Sequence, residues 1–164
     1  MTADIVYIRE DLTRAWRAAC ETVAAERIYL GRIAFPPFDA SIAFVAKMLA
    51  NNWPMYVAVE GQTVVGWADI APVEIPECAH RGVLGMGVLA SRRRAGLGGK
   101  LLEACLTHAP RSGIEKVELT VYTSNVPAIA LYRKHGFTEM GVNRDYRRLD
   151  GVTYDALLME KFLS

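Results

Sequence analysis

The sequence predicts a single α/β domain spanning residues 1–164, and three observations lead to that prediction. Runs of alternating apolar residues, typical of strands, are interspersed with longer stretches at helical spacing. With 164 residues, 52% of them apolar, the chain fits one domain that buries a hydrophobic core. No linker, repeat or low-complexity stretch divides it.

The first half of the chain is predicted to contain four strands and two helices. Asp4–Arg9 alternates like a strand, and Leu12–Leu30 carries apolar residues at mostly helical spacing. Pro36 and Pro37 interrupt this helical region, since proline cannot continue a helix. The other elements of this half are a helix at Ser41–Ala50 and strands at Met55–Glu60, Thr63–Val73 and Cys78–Leu89.

The second half begins with a predicted helix at Leu97–His108, whose end Pro110 weakens. Ser124 or Asn125 can cap another helix further along the chain. The remaining elements are a strand at Lys116–Tyr122, a helix at Val126–His135, and a final hairpin of Phe137–Arg147 and Thr153–Phe162 that turns at Asp150 and Gly151.

An arginine- and glycine-rich segment, Val88–Lys100, joins a predicted strand to a predicted helix and reads V-L-A-S-R-R-R-A-G-L-G-G-K. Glycines let successive backbone N–H groups point at one spot, because no Cβ blocks the approach. The helix start behind them adds unpaired N–H groups and the positive end of the helix dipole. Arg92, Arg93 and Arg94 add positive charge. Together these features indicate a site for phosphates, most simply a pyrophosphate.

Two common phosphate loops do not fit this segment. A Walker loop needs a glycine where Arg94 stands and a hydroxyl residue after its lysine, but Leu101 follows Lys100. A dinucleotide fingerprint needs its third glycine where Leu101 stands. The remaining pattern is R-x-x-G-x-G, formed by Arg93, Gly96 and Gly98. Taken alone, the glycines fit helix packing equally well, and the arginines fit a solvated surface patch.

A second motif lies downstream, where Thr123–Phe137 reads T-S-N-V-P-A-I-A-L-Y-R-K-H-G-F. The pair R-x-x-G-x-G and N-x-x-A-x-x-L-Y-x-K-x-G-F resembles the GCN5-related N-acetyltransferase (GNAT) superfamily in order, spacing and intervening elements. The resemblance is strongest over Val83–Phe137. Trp53–Ile70 and the ending Y-R-R-L-D-G-V-T-Y-D-A-L-L-M are similar to the bacterial phosphinothricin and L-amino-acid N-acyltransferase branch.

The resemblance implies a mixed, mostly antiparallel sheet of about seven strands with about four helices. In that fold the fourth strand is bulged around residues 85–88 and splays from the fifth, and the pantetheine arm lies in the gap. Acetyl-CoA is the implied co-substrate. The implied cofactor-binding residues are Met86, Val88, Arg93, Arg94, Ala95, Gly96, Leu97, Gly98, Gly99, Asn125 and Tyr132.

Catalytic roles are implied only in part. Tyr132 matches the family tyrosine near the thioester sulfur, which implies that its phenol, with a reference pKa of about 10, protonates the leaving thiolate. Many family members carry a glutamate base on the fourth strand, but no acid lies between Arg81 and Ser91 here. The candidate bases that are near in sequence are Asp69, Glu74, Glu77 and His80.

The acceptor is expected to be a small-molecule primary amine, namely an amino acid or analogue. Deprotonating an α-amine at pH 7 costs about 1.1 kcal/mol, against about 4.6 kcal/mol for a lysine side chain, so a site without an evident base favours the α-amine. The candidate acceptor-binding residues are Glu26, Phe35 and Phe38, with Tyr29 beside them, and the candidate carboxylate-binding residues are Arg32, Arg81 and Arg144. Two alternatives stay open: a protein N-terminus as acceptor, which an open groove would favour, and a non-catalytic acyl-CoA sensor.

The composition indicates which partners and which cellular compartment to expect. Nineteen basic and eighteen acidic residues give a net charge of +1, so we expect no nucleic-acid partner and no membrane partner. No apolar run approaches the roughly 20 residues that span a bilayer. Charges near the N-terminus are unlike a signal peptide, so we expect a cytoplasmic location.

Cysteines and histidines give no metal-site pattern. The three cysteines are scattered and the three histidines lack ligand spacing, so no metal is expected. His108 and His135 are expected on helix surfaces. The last hairpin, Asp145–Phe162, is expected to supply a paired edge in a homodimer, as is common in the family the chain resembles.

Overall fold

The computed structural model describes residues 2–164 and contains a seven-stranded sheet. Its strands are β1 (Asp4–Tyr7), β2 (Met55–Glu60), β3 (Thr63–Pro72), β4 (Arg81–Val88), β5 (Lys116–Tyr122), β6 (Thr138–Leu149) and β7 (Val152–Phe162). Its helices are α1 (Thr13–Ala24), α2 (Phe38–Ala50), α3 (Leu97–His108) and α4 (Val126–Lys134). The strand order is β1-β2-β3-β4-β5-β7-β6, and only β4 and β5 pair in parallel. The predicted mixed, mostly antiparallel architecture is confirmed.

Most element bounds agree with the sequence prediction, and the clearest difference lies after α1. The predicted helix Leu12–Leu30 ends at Ala24 instead, because the backbone turns left-handed at Arg27, with φ of 64°. The chain then forms a loop over residues 25–37, called the α1–α2 loop below. No helix among residues 2–164 combines the length and apolar character that a bilayer crossing needs.

Apolar side chains fill both faces of the sheet. Helices α3 and α4 pack on one face, where Leu101, Leu102 and Cys105 are fully buried. Helices α1 and α2 pack on the other face, around Trp16 and Trp67. Because both faces are covered, β3 reads as a nearly continuous apolar run.

Strands β4 and β5 separate beyond a short paired segment, as predicted. Arg81, Gly82 and Val83 pair with residues 116–118 of β5, and no pair between the two strands follows. The rest of β4 therefore presents unpaired backbone groups toward β5, and this gap becomes the cleft described below.

The predicted bulge in β4 is wrong. Residues 82–88 pair with β3 in one unbroken register, and the irregularity lies instead between β2 and β3, at Ala58 and Val59. The β4 glycines are explained by close approach. A Cβ at Gly87 would lie 2.3 Å from the Trp67 ring, and one at Gly85 would lie 3.5 Å from the Asp69 carboxylate.

Replacing Gly87 with alanine is expected to lower the free energy of unfolding by about 1–3 kcal/mol, because the added methyl group displaces the Trp67 indole in a packed core. Urea unfolding monitored by fluorescence measures the change. Gly31→Ala is the matched control, since its Cβ would meet nothing closer than 3.8 Å. Equal stabilities for the two variants would contradict the packing assigned to Gly87.

The predicted surface position of His108 is also wrong. His108 is 7% exposed, and its two ring nitrogens lie 3.1 Å from the Tyr56 hydroxyl and 2.9 Å from the Asn52 carbonyl. Desolvation is the main reason that its pKa is lowered from the ordinary value. His135 is half-buried, with Nδ1 lying 2.9 Å from the Leu131 carbonyl.

Candidate active site

A cleft of about 620 Å³ opens between the separated ends of β4 and β5. Its walls come from residues 84–88 of β4, residues 119–121 of β5, the first turn of α3, one side of α4, and residues 29–31 of the α1–α2 loop. The predicted cofactor-binding residues that line it are Met86, Val88, Arg93, Arg94, Gly96, Leu97, Gly98, Gly99, Asn125 and Tyr132. Ala95 is exposed beside the cleft and does not line it.

The start of α3 offers backbone donors to the cleft. Gly96 stands at the N-cap with φ of 83°, a conformation that suits glycine, and no side chain caps the helix. The first bond across this turn runs from the Lys100 N–H to the Gly96 carbonyl, at 3.2 Å. The N–H groups of Leu97, Gly98 and Gly99 therefore have no partner within the helix. This end of the helix favours an anion.

Two of these glycines also allow α3 and α4 to approach each other. A Cβ at Gly98 would lie 3.2 Å from Leu131, which is tighter than ordinary packing, and one at Gly99 would lie 3.5 Å from His135. Close packing of α3 on α4 therefore accounts for both glycines, and the uncapped helix start is in addition suited to an anion.

The three consecutive arginines differ in what they contact. Arg92 binds Glu60 through two hydrogen bonds of 2.8 Å. Arg93 binds Glu26 at 2.8 and 2.5 Å, donates to the Val88 carbonyl at 2.9 Å, and lies 4.6 Å from the centre of the Tyr29 ring. Arg94 is exposed at the cleft and forms no ion pair with any residue of the 2–164 range.

These contacts favour Arg94 over Arg93 as the arginine that can bind a phosphate. Arg93 matches the family motif most directly, yet its guanidinium is already neutralised by Glu26. Arg94 is the arginine whose charge is free to meet a phosphate. Its backbone is also left-handed, with φ of 63°, which turns the chain into the glycine loop.

Tyr132 lies on α4, Asn125 stands immediately before that helix as its N-cap, and both residues line the cleft. The Asn125 side chain caps α4 by accepting a hydrogen bond from the Ala128 N–H at 3.4 Å. Tyr132 is 8% exposed, and its ring packs edge-on against Phe137. Burial raises the pKa of the Tyr132 phenol to about 12, so the hydroxyl is protonated throughout the physiological range.

The predicted acceptor residues do not meet at the cleft, although Phe35 and Phe38 both lie about 6 Å from the Arg17 guanidinium, at 5.9 and 5.8 Å. Glu26 contacts Arg93, at the edge of the cleft. Phe35 lies under the Arg17 guanidinium, 5.9 Å from it. Phe38 begins α2 and faces a separate shallow groove, where it stacks with Arg14 at 4.3 Å. Neither phenyl ring lines the cleft.

The arginines predicted to hold an acceptor carboxylate do not reach the cleft either. Arg81 forms a bidentate pair with Glu118 at 3.0 and 2.9 Å, while Arg32 and Arg144 are exposed. None of the three lines the cleft.

Of the four candidate bases, one lies beside the cleft and three are exposed elsewhere on the surface. Glu74 is exposed and pairs with Lys47 at 2.5 Å, and Glu77 and His80 are also exposed. Asp69 instead faces Gly85, a residue of the cleft wall. Within residues 2–164, no cluster of three or more histidine, cysteine or acidic side chains is arranged to hold a metal ion.

One set of contacts near the cleft carried no sequence signal. The Arg147 guanidinium lies 5.3 Å from the centre of the Tyr122 ring and 5.1 Å from that of Tyr154. It also donates a hydrogen bond to the Arg27 carbonyl at 3.3 Å. Arg27 in turn binds Asp150 at 2.8 Å. The β6–β7 hairpin thereby holds the α1–α2 loop, part of which walls the cleft.

Known proteins are similar to this chain in sequence and in fold. The sequence model of the Acetyltransferase (GNAT) family matches residues 14–137. The N-alpha-acetyltransferase RimI of Mycobacterium tuberculosis (strain H37Rv) is 34% identical, with 98% of this chain and 96% of the relative covered. The L-amino acid N-acetyltransferase AaaT of Escherichia coli (strain K12) is 25% identical, with 95% of this chain and 97% of the relative covered.

Among solved structures, a GNAT superfamily phosphinothricin acetyltransferase from Sinorhizobium meliloti, determined in complex with acetyl-CoA, superposes with a TM-score of 0.91. It is 17% identical, and the alignment covers 100% of this chain and 90% of that chain, so this likeness concerns the fold. The extent of the family match and the RimI-like relative decide the assignment. The chain belongs to the acetyltransferase (GNAT) family and is an acetyl-CoA-dependent acetyltransferase.

Proposed function

We propose that the enzyme transfers the acetyl group of acetyl-CoA to the α-amine of a free amino acid or close analogue. One observation carries the proposal: three features line a single cleft. They are the uncapped start of α3, the unpaired part of β4, and the side of α4 that carries Tyr132. Phosphates, a pantetheine arm and a thioester need these three features in that order along one ligand.

The donor is held mainly by backbone groups in this account. The N–H groups of Leu97, Gly98 and Gly99, with the Arg94 guanidinium, bind the pyrophosphate. The unpaired backbone around Val88 binds the pantetheine amides and polarises the thioester carbonyl. Backbone donors aimed at a developing oxyanion contribute about 2.7–4 kcal/mol in favourable cases.

The chemistry is a direct attack in a ternary complex. The amine nitrogen, once neutral, forms a bond to the acetyl carbon, and collapse of the tetrahedral intermediate breaks the carbon–sulfur bond. Tyr132 donates a hydrogen bond to the departing thiolate, which leaves as the thiol after gaining a proton. A phenol with a pKa of about 12 does not release its proton easily, so solvent completes the protonation or restores the phenol.

The α-amine is favoured by its low cost of deprotonation, and the free amino acid by likeness to AaaT. A protein N-terminus is the second candidate acceptor, and a specific observation favours it. Phe35 and Phe38 do not close the cleft, and Val83, further along β4, is 48% exposed. The similarity to RimI supports the same alternative.

A panel of matched acceptors tests the acceptor class. Steady-state kcat/KM is measured for one amino acid, for its amide, and for a tripeptide with the same N-terminal residue. The proposal expects the free amino acid to give the highest value. A tripeptide preferred over the amino acid by tenfold or more would assign the enzyme to protein N-termini instead.

The proposal includes a homodimer formed through the edge of the sheet. Strand β6 is exposed along nearly its whole length and has β7 as its one neighbour in the sheet. Met140, Val142 and Tyr146 on this strand are each about half exposed, at 49%, 53% and 47%. An unpaired apolar edge of this kind is suited to pairing with a second copy.

Replacing Val142 with lysine is expected to convert the dimer into a monomer, because it places a charge on the proposed paired edge. Sedimentation velocity at micromolar concentration measures the mass of both proteins. Lys134→Ala, a change on the separate helix α4, serves as the control and is expected to remain dimeric. A monomeric wild-type protein would contradict the proposed dimer.

A further inference from the structure

Asp69 occupies an unusual position in the middle of the sheet. It lies on β3, between Met55 of β2 and Gly85 of β4. Gly85 has no side chain, and a Cβ placed there would lie 3.5 and 3.6 Å from the two Asp69 carboxylate oxygens. The Asp69 carboxyl therefore lies beside the space that a β4 side chain would use at the cleft wall.

The face of the sheet on which Asp69 lies is the face covered by α1. Positions 85 and 87 of β4 both point toward it, since their Cβ positions meet Asp69 and Trp67. Trp67 packs in the same cluster as Val23 of α1, and Val23 also lines the cleft. The Asp69 side chain does not itself line the cleft, but its carboxyl lies beside Gly85, which does, so a group above Gly85 can approach it between α1 and β4.

Among residues 2–164, the Asp69 carboxyl forms no ion pair and accepts no hydrogen bond. Burial alone raises its pKa to about 7. Its titratable neighbours are two thiols: Cys20 of α1 on the same face of the sheet, and Cys105 of α3 on the opposite face. The pKa of each thiol is raised, chiefly by burial and secondly by the Asp69 charge. Structural buried carboxyls usually have partners, whereas uncompensated ones concentrate at functional sites.

We infer that Asp69 is the general base of the reaction. It lies on β3 and takes the place of an acidic residue on β4, which has none. The inference rests on the proposed function. The Asp69 carboxylate removes one proton from the acceptor ammonium, and the nitrogen lone pair then attacks the thioester carbon. The nitrogen loses its second proton as the amide forms, the thiolate gains one, and each turnover releases one net proton.

The first test compares acceptors in Asp69→Asn. With an ordinary α-amine, kcat/KM is expected to fall by about 10²–10⁴-fold, the usual contribution of a general base. With a weakly basic primary amine that is already neutral at pH 7, the loss is expected to be under about tenfold, because no proton has to be removed before the nitrogen attacks. Equal losses with both amines would assign Asp69 a structural role and overturn the inference.

The controls separate this inference from the proposed function. Glu103→Gln removes an exposed carboxylate on α3 and is expected to leave both rates unchanged. If Asp69→Asn keeps full activity with the ordinary amine, Asp69 is not the base, while acetyl transfer itself still stands. If the wild-type protein acetylates no amine, the proposed function fails first.

The second test uses the wild-type protein, so it holds even if the variant does not fold. The pH profile of kcat/KM is expected to show an acid limb near pH 7 that belongs to the enzyme. The limb should stay in place when the acceptor is exchanged for a more basic amine, and should vanish with the weakly basic one. A limb that moves with the pKa of the acceptor would overturn the inference.

Discussion

Replacing Tyr132 with phenylalanine lowers kcat for acetyl transfer by about 10²-fold or more and leaves the affinity for acetyl-CoA near its wild-type value. The hydroxyl is the sole group lost, and its proposed partner, the thiolate, carries charge only as the carbon–sulfur bond breaks. The ring keeps its packing against Phe137, so the fold is expected to persist. Stopped-flow detection of thiol release and equilibrium binding of acetyl-CoA measure the two quantities.

Tyr154→Phe is the matched control for this prediction. Tyr154 is buried to the same degree, 9% exposed against 8%, but lies on β7 and does not line the cleft. It should retain kcat within a few-fold of wild type, since its hydroxyl meets no reacting atom. An unchanged kcat in Tyr132→Phe would remove the role proposed for Tyr132.

Charge reversal at the free arginine, Arg94→Glu, raises KM for acetyl-CoA by about 10–100-fold, because a charge-assisted hydrogen bond contributes about 1.5–3 kcal/mol. Arg94 is exposed at the cleft, and its guanidinium has no acidic partner among residues 2–164, so the variant should fold normally. Initial rates over a range of acetyl-CoA concentrations, at fixed ionic strength, give the KM values.

A shortened donor makes the Arg94 prediction specific. S-acetylpantetheine lacks the pyrophosphate, so wild type and Arg94→Glu should use it with the same kcat/KM. Arg111→Glu, which reverses an exposed charge beyond the end of α3, should leave KM for acetyl-CoA unchanged. Equal sensitivity of the full and shortened donors to Arg94→Glu would place the phosphates elsewhere.

Local sequence patterns predicted most of the fold, since each strand and helix is marked by its own residues. Met55–Glu60, Leu97–His108 and Lys116–Tyr122 have the predicted bounds. The end of α1 was mispredicted because the left-handed residue there is Arg27, where a glycine would have signalled the stop.

The lining of the cleft was predictable where one segment supplies it, as in the glycine loop before α3 and the start of α4. It was not predictable where partners are distant in sequence. The ion pair between Glu26 and Arg93 depends on tertiary structure. The position of Asp69 opposite Gly85 depends on the register of β3 and β4. The β4 glycines indicated close approach, but only the register shows that Asp69 and Trp67 are the side chains that approach them.

The central claim is that this cleft transfers acetyl groups to α-amines, and free lysine tests it most directly because one molecule carries an α-amine and an ε-amine. Purified protein is incubated with acetyl-CoA and lysine, thiol release is followed, and the product is identified by NMR. One thiol is expected to be released for each molecule of Nα-acetyl-lysine formed. Acetylation at the ε-amine, or saturable acetyl-CoA binding without thiol release on this or any other amine, would contradict it.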